Sequence, residues 1–176
     1  MKNIIGLIVV LLIAKVSLPQ YKPVGQGSSL KFTIKNLGFS VDGSFSGFEG
    51  NINFDPQNPA GSNFDVTVDA ATVNTDNSLR DEHLKGDTYF DVKNNPRIRM
   101  ASNKITAGKN GTCIFNGTLT IKGKTRPVSF PFTASPVDDG FLFKGSFKMN
   151  RRDFDIGGTS TISNELEVNL NIVAKK

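Results

Sequence analysis

A charged cluster stands out in the sequence because its neighbours alternate between apolar and polar residues. It lies within NTDNSLRDEHLKGDTYFDV (residues 74–92), where Arg80, Asp81, Glu82 and His83 follow one another, and His83 is the only histidine of the chain. A histidine beside an aspartate can serve as a general base when a nucleophile lies nearby. The sequence contains no Gly-x-Ser-x-Gly elbow and no cysteine in an activating context. We therefore expect no catalytic residues and interpret Arg80, Asp81 and His83 as a structural hydrogen-bonding network.

Metal binding is equally poorly supported by residue types and spacing. A structural or catalytic zinc site needs three or four His, Cys or carboxylate ligands, whereas His83 and the single Cys113 lie thirty residues apart. One cysteine cannot form an internal disulfide, and Cys113 falls in an apolar strand pattern where an inert buried thiol is usual. We expect no metal site and no cofactor.

The charged cluster has the spacing of a short helix. Asp76, Asn77 or Ser78 can cap its start and Gly86 can end it, which predicts a helix over about residues 77–86. Leu79, His83 and Leu84 are the residues that can face inward. A helix of about two turns between strands is typical of a lid or plug over one end of a barrel.

Strict period-two alternation predicts strands through most of the remaining chain. The apolar positions shift from odd to even numbers at Ser46-Gly47, which predicts a bulge or sharp bend there. Turn residues separate the strands, and no long helices alternate with them, so a parallel sheet is excluded. About eight antiparallel strands with one apolar face are expected to close into a barrel, since closure removes exposed strand edges.

The predicted interior is rich in phenylalanine, with fourteen Phe against two Tyr and no Trp. Phe brings apolar area without a polar atom that needs a partner, so a cavity lined with it suits a hydrocarbon. Alternation alone favours the alternative that the rings simply fill the core. The candidate lining residues are Phe32, Ile34, Phe39, Phe45, Ile52, Phe54, Val66, Val68, Leu79, Leu84, Phe115, Leu119, Phe130, Phe132, Phe141, Phe143, Phe147 and Val168.

The N-terminus has the pattern of a secretory signal peptide. Lys2 precedes an apolar run from Ile4 to Ala14, which is too short to span a bilayer and ends at Lys15. We predict a signal peptide over residues 1–20 and one domain over residues 21–176; an uncleaved membrane anchor is the alternative. Without residues 1–20 the chain has 19 basic and 16 acidic residues, a net charge of +3. Because its lysines are scattered, a nucleic-acid partner is not expected.

Four segments of the sequence resemble the YceI-like family of secreted, lipocalin-like bacterial proteins. They are LKFTIKNLGFSVDGSFSGFEGNINFDP, VTVDAATVNTDNSLRDEHLKGDTYFDVKNNPRIRMAS, GTLTIKGKTRPVSF and MNRRDFDIGG. The resemblance covers roughly residues 28–174. It implies an all-β fold, an extended eight-stranded antiparallel barrel that holds a long isoprenoid tail. The sequence departs from the family pattern at Asp155 in RRDFDIGG, where many relatives have Gly. This departure leaves open whether the region of Arg151 and Arg152 binds a ligand headgroup in the same way as in relatives.

With the resemblance added, the leading hypothesis is a non-catalytic carrier, periplasmic or secreted, with no stable membrane insertion. The resemblance implies a polyisoprenoid ligand, such as a polyprenyl phosphate or a prenylquinone. Two alternatives stay open: a stress-response or structural barrel with a filled core, and an enzyme that modifies a lipid held in the barrel.

Overall fold

The protein is described by a computed structural model covering residues 19–159 and 161–176. The predicted signal peptide lies almost wholly outside these residues and stays a prediction. Within them no helix is long and apolar enough to cross a membrane. One α-helix, α1, spans Ser78–Lys85, and two short 3-10 turns span Pro59–Gly61 and Arg151–Phe154. The strands are β1 (Gln20–Asn36), β2 (Phe39–Asn53), β3 (Asn63–Asn74), β4 (Arg97–Ala107), β5 (Cys113–Ile121), β6 (Lys124–Val137), β7 (Gly140–Asn150) and β8 (Ile162–Lys175).

The eight strands form a closed antiparallel barrel in chain order, and β8 pairs with β1 to close it. The predicted fold class is therefore confirmed. Alternation places one face of each strand inside, most regularly in β5, where every second residue from Cys113 to Ile121 is buried. Closure leaves no unpaired edge along the sheet, which explains how so many half-apolar strands coexist in one small domain.

The predicted irregularity at Ser46-Gly47 is also present. The pairing of β2 with β3 shifts register between Ser46 and Glu49, and Gly47 adopts a φ of +69°. Gly50 follows with a φ of +121°, a conformation that is essentially restricted to glycine. This bulge moves the apolar side chains of β2 from odd to even positions, so both halves of the long strand face the interior.

An aromatic cluster closes the end of the barrel where β1 begins. Phe54 lies at its centre, with its ring centroid 5.2 Å from those of both Phe141 and Phe143. Tyr21 packs edge-on against Phe141 at 5.3 Å. We call this end of the barrel the base. Aromatic rings in edge-to-face contact at such distances pack tightly, so the base is sealed.

The opposite end carries α1, and we call it the α1 end. The turn between β1 and β2, the β5–β6 turn, the segment from β7 to β8, and the chain from β3 through α1 to β4 all lie here. Asn77 caps α1, its side chain accepting a hydrogen bond from the Arg80 N–H at 3.0 Å, and Gly86 ends it. The helix predicted over residues 77–86 is thus confirmed to within one residue at each end.

Candidate functional site

The barrel encloses an apolar cavity of about 250 Å³, with wall residues from all eight strands and from α1. It reaches the α1 end, where the half-buried Asn36, Val41, Leu84 and Ile162 belong to its wall. The structure places most of the predicted lining residues on this wall; that they contact a ligand stays a prediction. These residues are Phe32, Ile34, Phe45, Ile52, Val66, Val68, Leu84, Phe115, Leu119, Phe130, Phe132, Phe143, Phe147 and Val168.

A stack of three phenylalanine rings forms one side of the cavity. Phe115 and Phe130 face each other across the β5–β6 pair with ring centroids 5.1 Å apart. Phe147 of β7 continues the stack, 5.0 Å from Phe130. Since all three rings belong to neighbouring strands, the register of the barrel fixes this flat apolar surface. It presents only carbon atoms to the cavity.

Four predicted lining residues lie elsewhere. Phe54 and Phe141 belong to the aromatic seal of the base and are absent from the cavity wall. Phe39 is 78% exposed because β2 begins beyond the barrel end, where the inward side of the strand meets solvent. Leu79 is 80% exposed because α1 turns Leu84, and not Leu79, toward the cavity.

Several wall residues were missing from the sequence-based set. Phe64, Leu166 and Leu170 follow the same period-two pattern as their predicted neighbours, so that pattern contained the signal. Tyr89 and Phe90 follow no such period, because they lie in the turns between α1 and β4. The Phe90 N–H donates to the Leu84 carbonyl at 3.0 Å, and its ring packs edge-on against Phe45 at 5.2 Å. Only the folded-back loop brings these two residues to the cavity.

The charged residues of the cavity wall are all cationic. They are Lys31, Arg80, Lys144 and Arg151, and no Asp or Glu of the described residues lines the cavity. Lys31 and Lys144 are exposed on the outer side of their strands. Arg80 and Arg151 are therefore the cations whose surroundings matter for a ligand.

Thr75 organises the charged cluster at the α1 end. Its buried hydroxyl donates to Asp81 Oδ1 at 2.6 Å and accepts from Arg80 Nε at 2.7 Å. The Thr75 N–H also donates to Asp81 Oδ1 at 2.9 Å, and Arg80 Nη2 donates to the Thr75 carbonyl at 2.6 Å. Arg80 and Asp81 thus fix the start of α1 to the end of β3, as expected of a structural network.

His83 does not belong to this network, and that part of the interpretation is wrong. Its side chain is exposed on α1, and no hydrogen bond of the imidazole occurs among the described residues. The expectation that His83 faces inward fails for the same reason. The residue is exposed and does not line the cavity.

Among the residues that the structure describes, Arg151 has the most deeply buried charged side chain, with 4% of its surface exposed. Its guanidinium donates to the carbonyl oxygens of neighbouring segments at 2.7–3.3 Å. Burial lowers the pKa of Arg151, and the adjacent Arg152 lowers it further. The acceptors are the carbonyls of Ile156, Gly157, Gly158, Ile162 and Ser163. Arg151 therefore holds the β7–β8 connection together and is poorly placed to bind a headgroup.

The departure at Asp155 has a local explanation. Asp155 ends the second 3-10 turn with a φ of +52°, a left-handed conformation that Gly adopts freely and Asp tolerates better than most residues. Its carboxylate pairs with Lys124 at 2.5 Å, and this hydrogen bond lowers the pKa of Asp155. Asp155 thus adopts the left-handed conformation beside Arg151, whose hydrogen bonds to the β7–β8 connection are formed to backbone carbonyls.

Cys113 is buried, as expected, and burial raises the pKa of its thiol. A raised pKa keeps the sulfur protonated and unreactive. No group of three or more potential metal ligands occurs among the described residues.

A family model described as the YceI-like domain matches residues 21–174. The chain belongs to the YceI-like family. A UPF0312 protein of Yersinia pestis (strain Pestoides F) is 33% identical over 141 residues, which is 75% of this chain and 72% of the relative. A UPF0312 protein of Pseudomonas aeruginosa (strain LESB58) is 32% identical over 139 residues, with the same shares covered.

Solved structures share the barrel of this family member. BcnA of Burkholderia cenocepacia superposes with a TM-score of 0.82 at 24% identity, over 87% of this chain and 99% of that protein. A YceI protein of Campylobacter jejuni gives 0.68 at 29% identity, over 77% and 85%. A polyisoprenoid binding domain from Saccharophagus degradans gives 0.70 at 13% identity, over 88% and 97%. The likenesses under 25% identity show the common fold.

Proposed function

We propose that this protein is a non-catalytic periplasmic carrier that holds a long polyisoprenoid chain inside its barrel. The observation that carries the proposal is the cavity lined by apolar side chains of all eight strands. Burying a methylene group contributes about 0.8 kcal/mol, so a long chain can bind without polar anchors. The fold shared with the polyisoprenoid binding domain from Saccharophagus degradans supports this ligand class.

The shape of the barrel suggests how such a lipid lies. The base is sealed by Phe54 and its aromatic neighbours, whereas the cavity reaches the α1 end beside Arg80. The tail would therefore enter first and the headgroup would remain at the α1 end. Arg80 is the cation best placed to meet the phosphate of a polyprenyl phosphate, and a carbonyl of a prenylquinone could accept a hydrogen bond there.

The composition of the wall favours binding over catalysis. No Ser, Cys, His, Asp or Glu of the described residues lines the cavity, and these residue types supply most nucleophiles and general bases. The alternative of a structural barrel with a filled core receives less support, since about 250 Å³ stays open between the phenylalanine rings. Export to the periplasm rests on the signal-peptide pattern of residues 1–20.

Substitutions in the cavity wall test the proposal. Phe143→Asp and Phe147→Asn each introduce a polar group among buried side chains, which are 7% and 8% exposed in the native protein. An unpartnered buried polar group costs about 1–3 kcal/mol, more when it is charged. We expect a fluorescent prenyl probe to bind each variant at least tenfold more weakly than the native protein.

Lys148→Gln is the matched control, because Lys148 is adjacent in sequence to Phe147 but points outward to Glu165 at 2.8 Å. Probe affinity should remain unchanged in this variant. Circular dichroism would verify that each protein is folded. Unchanged affinity for the prenyl probe in a folded Phe147→Asn protein would show that the phenylalanine side chains are ordinary core residues. That result would refute the proposal that the protein is a lipid carrier.

A further inference from the structure

We propose that the α1 end of the barrel docks on a lipid bilayer through an apolar rim formed by Leu37, Phe39 and Leu79. The rim lies beside the opening of the cavity, so docking would place that opening against the membrane. This surface is defined by its own exposed residues and does not depend on which molecule the barrel holds.

Exposure and position single out the rim. Leu37, Phe39 and Leu79 are the large hydrophobic side chains exposed among the described residues, at 71%, 78% and 80%. Single exposed apolar residues scattered over a surface are ordinary. Leu37 lies in the β1–β2 turn, Phe39 is the first residue of β2 and Leu79 belongs to α1, and all three positions are at the α1 end. Such grouping at one end of the molecule indicates an interaction surface.

The rim residues are neighbours in the sequence of residues that line the cavity. Asn36 and Val41 flank the rim residues of the β1–β2 turn, and Arg80 follows Leu79; all three line the cavity. A bilayer contacting the rim would therefore also meet the cavity opening. A polar partner would leave these apolar side chains in contact with polar groups, which is why a lipid surface fits better.

Leu37 occupies a position that the local backbone disfavours. Leu37 and Gly38 form a two-residue turn between β1 and β2, with φ values of +51° and +86°. Asn-Gly is the preferred pair in such a turn, because a bulky side chain is strained at positive φ. The two-residue β5–β6 turn has the same backbone, with φ values of +50° at Lys122 and +70° at Gly123, but there the lysine side chain donates to the Asp155 carbonyl at 3.1 Å. The backbone at Leu37 is thus strained although the side chain gains no burial within the protein. Insertion of this side chain into a lipid surface would give it the missing burial.

The charges around the rim are compatible with a lipid surface. Lys35 precedes the first two rim residues and the exposed Asp42 follows them. On α1, Glu82 is paired with Lys85 at 2.7 Å and Asp81 is held by Thr75. The exposed Asp76 offsets Arg80 on the α1 side, so the charge near the rim is balanced and contact with a bilayer would rest on the apolar side chains.

An environment-sensitive fluorophore can report which end of the protein meets the bilayer. We would attach it through Ser40→Cys, beside the rim, or through Asp139→Cys in the β6–β7 turn at the base; both positions are exposed. Native Cys113 is buried, and the otherwise unmodified protein serves as the labelling control. With vesicles of phosphatidylcholine and phosphatidylglycerol, the label at position 40 should shift to the blue and the label at position 139 should not.

The apolar run at the N-terminus cannot imitate this result. Residue 20 begins β1 at the base, so attachment through the N-terminus would bring the label at position 139 toward the lipid. A response at position 139 alone, or at neither position, would overturn the proposal. Vesicle-independent dimerisation that shifts the label at position 40 would also overturn it, because the rim would then bind a second copy.

The variant Leu37→Asn separates docking from stability. Asparagine tolerates the positive φ better, so the melting temperature should rise by about 2–4 °C. Vesicle binding should nevertheless fall by at least threefold, and Leu37→Asn combined with Phe39→Ser should abolish the shift at position 40. A stabilised variant with unchanged vesicle binding would contradict the proposal.

Discussion

Thr75 shows how one side chain gives a charged cluster a structural role. Its hydroxyl is shared between Arg80 and Asp81, and 6% of the residue is exposed. Buried charge-assisted hydrogen bonds of this kind are stronger than neutral ones and fix geometry. The cluster thereby holds α1 across the barrel end, whereas the neighbouring His83 takes no part in these hydrogen bonds.

Replacing Thr75 by Val should destabilise the protein by about 1–3 kcal/mol, because Arg80 and Asp81 each lose a buried partner. Urea unfolding would measure this loss. Thr75→Ser keeps the hydroxyl and should retain most of the stability. His83→Ala should change the unfolding free energy by less than about 0.5 kcal/mol, as is usual for exposed positions. A His83→Ala loss as large as that of Thr75→Val would refute this division of roles.

Arg151 illustrates a limit of reasoning from residue type. A buried arginine near a barrel end suggests recognition of an anionic headgroup, yet its donors are engaged by backbone carbonyls of the β7–β8 connection. Carbonyl acceptors of a loop leave no pattern in a sequence. Their positions follow only from the path of the folded chain.

At the scale of elements, the bulge in β2 keeps the long strand within the barrel. Gly50 approaches β3 so closely that an added Cβ would lie 2.2 Å from the Asp65 carbonyl oxygen and 2.7 Å from Val66 Cα. Its φ of +121° is also unsuitable for other residues. The bulge therefore requires glycine for two separate reasons.

Gly50→Ala should cost about 3 kcal/mol or more, because both the backbone strain and the clash with β3 must be relieved. Gly25→Ala is the matched control in β1, since an added Cβ there has no atom within 4 Å. That variant should be as stable as the native protein or slightly more stable. Equal unfolding midpoints in urea for the two variants would show that the bulge is not a stability determinant.

The elements were largely predictable from the sequence, because alternation and capping act locally. Period two identified the strands, and three candidate caps at residues 76–78, of which Asn77 is the one used, bounded α1 together with Gly86. The direction of each α1 side chain was less predictable, because the short helix is weakly amphipathic. Hydrogen bonds of α1 to Phe90 and Thr75 orient it so that Leu84 lines the cavity and Leu79 is exposed. The prediction that Phe39 lines the cavity was wrong for a similar reason, because alternation shows which side of a strand is apolar but not where the barrel ends.

In the whole molecule, the two ends of the barrel differ: aromatic side chains close the base, whereas the cavity reaches the α1 end. The aromatic base would limit how deep the proposed ligand reaches, and the α1 end combines the cavity opening, Arg80 and the proposed apolar rim. Alternation predicted the apolar interior but could not distinguish a filled core from a cavity, because that depends on how far opposite rings reach across the barrel. The space between them is a property of the closed fold.

Mass spectrometry of an organic extract tests the central claim most directly. The native protein, purified from its bacterial host without detergent, should release a polyisoprenoid in near-stoichiometric amount, and folded Phe147→Asn protein prepared in parallel should release little. Lys148→Gln protein should release as much as the native protein. Native protein that releases no isoprenoid, and binds none when a prenyl lipid is supplied, would contradict the account.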